Sequence, residues 1–363
     1  MPTTDAFPRT RRVLDAALDA GSMPGLALEV WCEGTPRLSL ALGQRALRPT
    51  PAPMVDGTWF DLASLTKVMA TLPVILTLAE DGAFGLDEPV CRFLPDLRGE
   101  HERYTLRHLL AHVAGLPSGL PWRELDPDRA RYPAFLAARR LEHAPGDTVV
   151  YSDVGFILLG LVAEAVTGQP LRDLARDRVH GPLGAQMRYG PIDGVGVDVA
   201  ATSEPPDRDG PPTGTVHDEV SRRLGGGTGH AGLFGTARGV VQVAEMFRRR
   251  GVGLNGARVL APQTVDACLR PASRTGEGNR RALGFELTGG PNSAGDLLSA
   301  RAFGHTGFTG TSAWVDPDLA LTVALLTNRV HLGRDNQDIL AVRKRVHNAV
   351  VADLARADRP DPV

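Results

Sequence analysis

The chain has 363 residues, 42 % hydrophobic and 23 % charged, enough to bury one large core or two interleaved ones. Its net charge of -2 and scattered arginines give no electrostatic reason to expect nucleic acid or an anionic membrane surface as partner. Cys32, Cys91 and Cys268 are odd in number and far apart, which argues against a disulfide framework and a four-thiolate zinc site.

From the N-terminus, Met1 to Gly21 carries no apolar run of the signal-peptide kind, and no later segment reads as a membrane span. A cytoplasmic location is expected, unless a removed leader preceded this sequence. Val13, Leu14, Ala17 and Leu18 form one stripe of an amphipathic helix near 9–20. Alternation at Leu26, Leu28, Val30 and at Leu38, Leu40, Leu42, around Glu33-Gly34-Thr35-Pro36, predicts a hairpin. Residues 61–81 read as a helix kinked or broken at Pro73. Helical patterns dominate from about 105 to 180, one of them running from Phe156 through Val166 and stopped by Gly168 and Pro170.

Residues 190–217, rich in Gly, Pro and Asp, are expected to form a long surface excursion. Arg248-Arg249-Arg250 suits a helix C-terminus, where cations complement the dipole. Strand patterns return near 301–305, 311–316 and 319–327, the last apolar enough for a buried central strand. Ile339, Val342, Val346, Val350 and Leu354 mark a closing helix. Strands at both ends predict an α/β domain split between 1–85 and 235–363, with a mostly helical domain inserted at 86–234. No repeat or low-complexity segment interrupts this order.

Three segments offer chemistry. In Asp61-Leu62-Ala63-Ser64-Leu65-Thr66-Lys67 a serine precedes a lysine by three residues, so a helix puts hydroxyl and amine on one face. A serine hydroxyl needs a neighbouring base to become a nucleophile, and a desolvated lysine can supply one. Tyr151-Ser152-Asp153 follows Pro145-Gly146 and precedes a helix, where a phenol near a cation could relay protons. His305-Thr306-Gly307 ends a strand, and Phe308-Thr309-Gly310 follows; glycine there lets a ligand approach an edge strand. Each segment alone also has an ordinary structural reading: a chance spacing, a packing tyrosine, a strand-end turn.

In this order, Ser-x-x-Lys, Tyr-x-Asp and His-Thr-Gly resemble the serine β-lactamase and penicillin-binding-protein superfamily. Leu109-Leu110-Ala111-His112-Val113-Ala114-Gly115-Leu116-Pro117 is similar to a segment of its class C β-lactamase-like branch, which includes esterases, D-aminopeptidases and muramyl-peptide amidases. The resemblance covers nearly the whole chain. It implies a β-lactamase/transpeptidase-like α/β (α+β) fold, a central antiparallel sheet flanked by helices. It also implies an acyl-enzyme on Ser64, with Lys67 taking its proton and Tyr151 relaying protons to the leaving group and from the deacylating water. Asp153, where the branch often has Asn, would orient Lys67 or touch substrate. The amides of Ser64 and Phe308 would form an oxyanion hole, each donor worth about 3–4 kcal/mol in the transition state.

Two departures bear on substrate. Penicillin-recognising members usually carry lysine where this chain has His305, and a histidine is largely neutral at pH 7 unless a partner raises its pKa. That favours esterase or peptidase members over a dedicated β-lactamase. His217-Asp218-Glu219, before the glycines of 225–232, resembles a subgroup linked to cell-wall turnover, as does Asn328-Arg329-Val330-His331. His217 and Glu219 would stand at the cleft rim as substrate contacts, or the triplet would cap and pin the excursion. Metal readings fail: His108 and His112 lack the metalloprotease glutamate between them, and the adjacent side chains of 217–219 rarely share a centre with His230.

The expected function is therefore cofactor-free cleavage of an amide or ester in a small molecule or short peptide, muropeptides and D-amino acid peptides foremost. Carboxylesterase or β-lactamase activity is the alternative on the same fold, and a non-catalytic ligand-binding protein the alternative of another class. Asp153, His305, Thr306, Gly307, His217 and Glu219 are the expected substrate contacts.

Overall fold

The computed structural model of the chain describes residues 6–192, 196–203, 213–272 and 280–357. Its centre is a seven-stranded antiparallel sheet in the order β3-β2-β1-β10-β9-β8-β7. The strands are β1 (Gly25–Cys32), β2 (Thr35–Ala46), β3 (Ala52–Pro53), β7 (Glu286–Leu287), β8 (Phe303–Thr306), β9 (Ser312–Asp316) and β10 (Leu321–Thr327). β1 and β2 turn through Glu33 (φ 55°) and Gly34 (φ 76°), both left-handed, as the twist of a two-residue hairpin demands. The register sets Leu28 opposite Leu325 and Val30 opposite Val323, joining the two ends of the chain at the middle of the sheet.

Alternation decides which layer each residue joins. Leu26, Leu28, Val30, Val323 and Leu325 face the N-terminal helix α1 (Pro8–Asp19) and the long closing helix Ile339–Ala357. Ala27, Trp31, Ala324 and Leu326 face the opposite way, onto the helix Ala237–Arg248 and the larger core. The burial of each such Leu or Val contributes roughly 1.5–3 kcal/mol relative to exposure. Asp353 of the closing helix accepts from the Thr10 amide (2.9 Å) and hydroxyl (2.9 Å) and from the Arg9 amide (3.1 Å), capping α1 from across the molecule.

A second, three-stranded sheet lies in the order β4-β6-β5, from β4 (Phe60–Asp61), β5 (Met187–Tyr189) and β6 (Leu233–Gly235). It holds the entry to the helical stretch Ala63–Glu80. That stretch is long and apolar enough on composition to cross a membrane, at mean hydropathy 1.3, contrary to the reading that no segment approaches a span. Its apolarity is that of a central core helix, 83 % buried. The stretch is not one regular helix: a 3₁₀ turn (Ala63–Leu65) passes into a π-turn (Lys67–Thr71) and then an α-helix (Leu72–Glu80). Pro73 sits in the first turn of that α-helix, where its missing N–H costs least. The Met69 carbonyl, four residues before Pro73, bonds instead to His180 Nε2 at 2.9 Å. Parts of the 190–217 excursion lie outside the described residues; Val199 bridges to Trp59, and the Ala201 amide donates to the Arg45 carbonyl.

Candidate active site

Ser64 stands on a turn built from short strands and one strained residue. Ala63 has φ 46°, a left-handed value that ordinarily favours glycine, and Asp61 Oδ1 accepts its amide at 2.8 Å. Thr66 Oγ1 donates to the Ala63 carbonyl (2.6 Å) and accepts the Leu233 amide (3.1 Å), tying the turn to β6. The other oxygen of Asp61 accepts the His217 amide at 2.7 Å, so one buried carboxylate holds both the serine turn and the 217 segment. Burial pushes Asp61 up to about 6, against the pull of those two amides.

Lys67 is fully buried, its Nζ 3.0 Å from Ser64 Oγ, 2.7 Å from Asp153 Oδ1 and 3.2 Å from the His230 carbonyl. Three acceptors match the three hydrogens of an ammonium. Burial alone would lower the Lys67 pKa, but the Asp153 carboxylate and the Tyr151 phenol outweigh it and raise it above its ordinary value. The His230 carbonyl reaches Lys67 because Gly229 passes against the helix Asp153–Thr167: a Cβ on Gly229 would lie 1.9 Å from the Phe156 carbonyl oxygen.

Tyr151 and Asp153 are placed by the segment 112–118. His112 Nδ1 accepts the Ser152 amide (3.0 Å), the His112 carbonyl accepts the Val150 amide (2.9 Å), and the Ser118 carbonyl accepts the Asp153 amide (2.8 Å). The His112 ring lies against Tyr151, centroids 4.7 Å apart, and burial holds its pKa well below the ordinary histidine value. Ser152 then N-caps the helix Asp153–Thr167. The Lys67 ammonium lies 5.0 Å from the Tyr151 ring centroid. The neighbouring His108 belongs to a capping box with Thr105, away from this work.

On the facing wall, β8 ends in Thr306 and the chain turns at Gly307. Thr309 Oγ1 donates to the Asp61 carbonyl (2.7 Å) and Thr311 Oγ1 to the Leu62 carbonyl (3.1 Å), clamping this turn onto the serine turn. A Cβ on Gly307 would meet Thr311 Oγ1 at 2.1 Å and the Leu62 carbonyl at 2.4 Å, so the clamp needs glycine. Arg343 and the Gly310 amide bond the Gly307 carbonyl (2.8 and 3.0 Å), and a trans peptide then turns the Phe308 N–H the opposite way. Among the described residues no protein acceptor meets the amides of Ser64 and Phe308.

His305 is buried, and its Nδ1 lies 2.7 Å from the Thr306 carbonyl. Burial first, then the charges of Arg281 and Lys67, hold its pKa well below the ordinary value, which favours the neutral ring over a cation at this place. His217, Asp218 and Glu219 combine both expectations. Asp218 N-caps the helix Glu219–Arg223 and accepts His230 Nε2 at 2.9 Å; burial opposes its charge, but His230 outweighs that and holds it well below the usual carboxylate range. Glu219 pairs with Arg334 at 2.6 Å, His217 bonds Ser203 Oγ at 2.9 Å and stacks on Phe308, and burial lowers His217 to about 3. These side chains turn to different partners, not to a common centre.

The segments meet around one cleft of ≈ 660 Å³, whose walls include Ser64, Tyr151, Asp153, His217, Glu219, His305, Thr306 and Phe308. Asp61 and His112 have roles that composition and spacing did not reveal, although both stand inside the segments that carried the resemblance. Arg281 and Glu286 also line the cleft and had no sequence signal.

A serine–lysine pair on a helical turn, under an antiparallel sheet whose edge turn faces it, defines the β-lactamase and transpeptidase class of proteins. The chain belongs to the beta-lactamase family, whose model matches residues 10–347. It is 30 % identical over 321 residues to the N-acetylmuramyl-L-alanine amidase of Bacillus subtilis, covering 80 % of this chain and 72 % of that one. It is 29 % identical over 317 residues (78 % and 72 %) to an Escherichia coli protein named "Putative D-alanyl-D-alanine carboxypeptidase". Among solved structures, a penicillin-binding protein homologue from Caulobacter crescentus superposes with TM-score 0.78 at 22 % identity, over 97 % of this chain and 99 % of that one. The hydrolase EstCE1 superposes at 0.77 and 24 % identity, over 95 % and 98 %. These two likenesses establish the fold.

Proposed function

We propose that the protein is a serine hydrolase that cleaves an amide or ester through an acyl-Ser64 intermediate. The observation that carries this reading is the 3.0 Å approach of Lys67 Nζ to Ser64 Oγ, in a cleft that also holds Tyr151 and the free amide of Phe308. The substrate carbonyl oxygen lies between the amides of Ser64 and Phe308. Ser64 Oγ attacks the carbonyl carbon and its proton passes to the neutral amine of Lys67. Collapse of the oxyanion breaks the C–N or C–O bond, and the proton moves from Lys67 through Tyr151 to the leaving group. Water then attacks the acyl carbon, gives its proton to the same relay, and the proton returns to Ser64 Oγ as the acid leaves.

Muropeptides or peptides of D-amino acids are the proposed substrates, supported by the names of the relatives and by the His-Asp-Glu segment at the rim. A place in cell-wall recycling goes with that reading. Carboxylesterase action is the second reading, favoured by the neutral His305. A purely ligand-binding protein has no use for a lysine buried against a serine hydroxyl. Turnover of a muropeptide, D-amino acid amides, p-nitrophenyl butyrate and a chromogenic cephalosporin, compared as kcat/KM, tests the choice. Hydrolysis of either of the first two supports the proposal, and hydrolysis of the ester alone moves the assignment to esterase.

A further inference from the structure

A lysine that takes a proton from a serine must aim a lone pair at the hydroxyl. In its neutral form Lys67 Nζ carries two hydrogens and one lone pair, so the aim is set by whatever engages the two hydrogens. Asp153 Oδ1 at 2.7 Å takes one and the His230 carbonyl at 3.2 Å takes the other, which leaves the lone pair toward Ser64 Oγ at 3.0 Å. Held by Asp153 alone, the amine would turn about that single bond and carry the lone pair off the hydroxyl.

The position of the His230 carbonyl follows from its own side chain. The residue is 1 % exposed, with Nε2 2.9 Å from Asp218 Oδ1 and Nδ1 3.0 Å from Thr228 Oγ1. A carboxylate only accepts, so Nε2 carries the hydrogen of the bond to Asp218. Asp218 is fixed in turn, because the same oxygen accepts the Ser221 amide at 2.7 Å. Ser221 Oγ donates to the Ala231 carbonyl at 3.2 Å, and Thr71 Oγ1, on the π-turn of Lys67 itself, donates to the Gly229 carbonyl at 2.7 Å. The carbonyls on either side of His230 are thus tied, and its ring is tied between Asp218 and Thr228. The His-Asp-Glu segment and the glycine-rich segment, separate in the sequence, meet in this one link.

Resting on the acyl-Ser64 reading, we propose that Asp218 and His230 are positioning residues of the general base: the bond between their side chains fixes the carbonyl that, together with Asp153, aims Lys67 at Ser64. His230 acts through its backbone and Asp218 through His230. Breaking the link therefore slows the chemical step and leaves the binding of a small reagent as it was.

The test is inactivation of the full chain by a fluorophosphonate, resolved into kinact and KI, with Ser64→Ala as the unlabelled control. His230→Ala and Asp218→Ala are each expected to lower kinact about tenfold or more at unchanged KI. The double variant should lose no more than either single one, because both remove the same link. His230→Gln keeps an N–H for Asp218, and Asp218→Asn keeps an acceptor for His230. Each should return kinact to within about threefold of the wild type, a neutral bond being weaker than one to a charge. Thermal unfolding checks that each variant folds. If the alanine variants do not, the conservative pair decides: a partial loss of kinact at unchanged KI supports the link, and wild-type kinact in both overturns it. A folded alanine variant with wild-type kinact, a loss confined to KI, losses that multiply in the double variant, or conservative variants no better than alanine would also overturn the proposal. Any of these results with Ser64 labelled in the wild type leaves the acyl-serine reading standing. A wild type that neither labels nor hydrolyses any ester contradicts that reading and takes this proposal with it.

Discussion

At Lys67 burial and a neighbouring carboxylate pull in opposite directions, and the carboxylate, at 2.7 Å, prevails together with the phenol. A raised pKa keeps the amine protonated near neutrality, so the base form grows as pH rises. Activity should therefore climb with pH on the alkaline side. Asp153→Asn removes the carboxylate, lowers the Lys67 pKa and should shift that limb to lower pH; a limb that stays in place excludes Lys67 as the base. Asp61 sets the other limb. With a pKa of about 6 it accepts the Ala63 and His217 amides as a carboxylate above that pH, and below it one oxygen becomes a donor. Activity should fall as pH drops through about 6, and Asp61→Asn should abolish that limb at a lower plateau. The serine and lysine were legible because three residues of separation places side chains together on any helical turn. Asp61 and His112 were not, because their roles arise where distant segments touch, and spacing in the chain carries no trace of that.

The elements around the site are short and held by side-chain clamps, which is why periodicity located them only roughly. Residues 61–81 read as a helix kinked or broken at Pro73, but are a 3₁₀ turn, a π-turn and an α-helix, and the break precedes Pro73. The long apolar strand 321–327 was legible, since burial on both faces leaves a continuous apolar run. The turn after β8 gives an element-scale prediction. Gly307→Ala would force apart Thr311 and the Leu62 carbonyl, displacing the Phe308 amide from Ser64. Loss of one oxyanion donor corresponds to about a 10²–10³-fold fall in kcat. Stability should drop by roughly 1–3 kcal/mol. A variant with kcat near that of the wild type would exclude Phe308 from the oxyanion hole.

Across the whole molecule, the chain ends are joined to make the sheet and the layer behind it. β1 pairs with β10, and Asp353 caps α1 through two amides and a hydroxyl. Asp353→Ala should cost about 2–4 kcal/mol in chemical denaturation while leaving the Ser64 labelling rate unchanged, because the cap lies behind the sheet and away from the cleft. Altered labelling at equal folded fraction would mean that the contact between Asp353 and α1 reaches the site, beyond the bond that Arg343 of the same helix makes to the Gly307 carbonyl.

The central claim is that Ser64 becomes covalently acylated. Treatment with a fluorophosphonate, followed by peptide mass spectrometry, tests it directly. One adduct per chain is predicted, located on Ser64, absent in Ser64→Ala, and matched by loss of hydrolysis in that variant. An adduct elsewhere, or a Ser64→Ala protein that keeps full activity, would contradict the account.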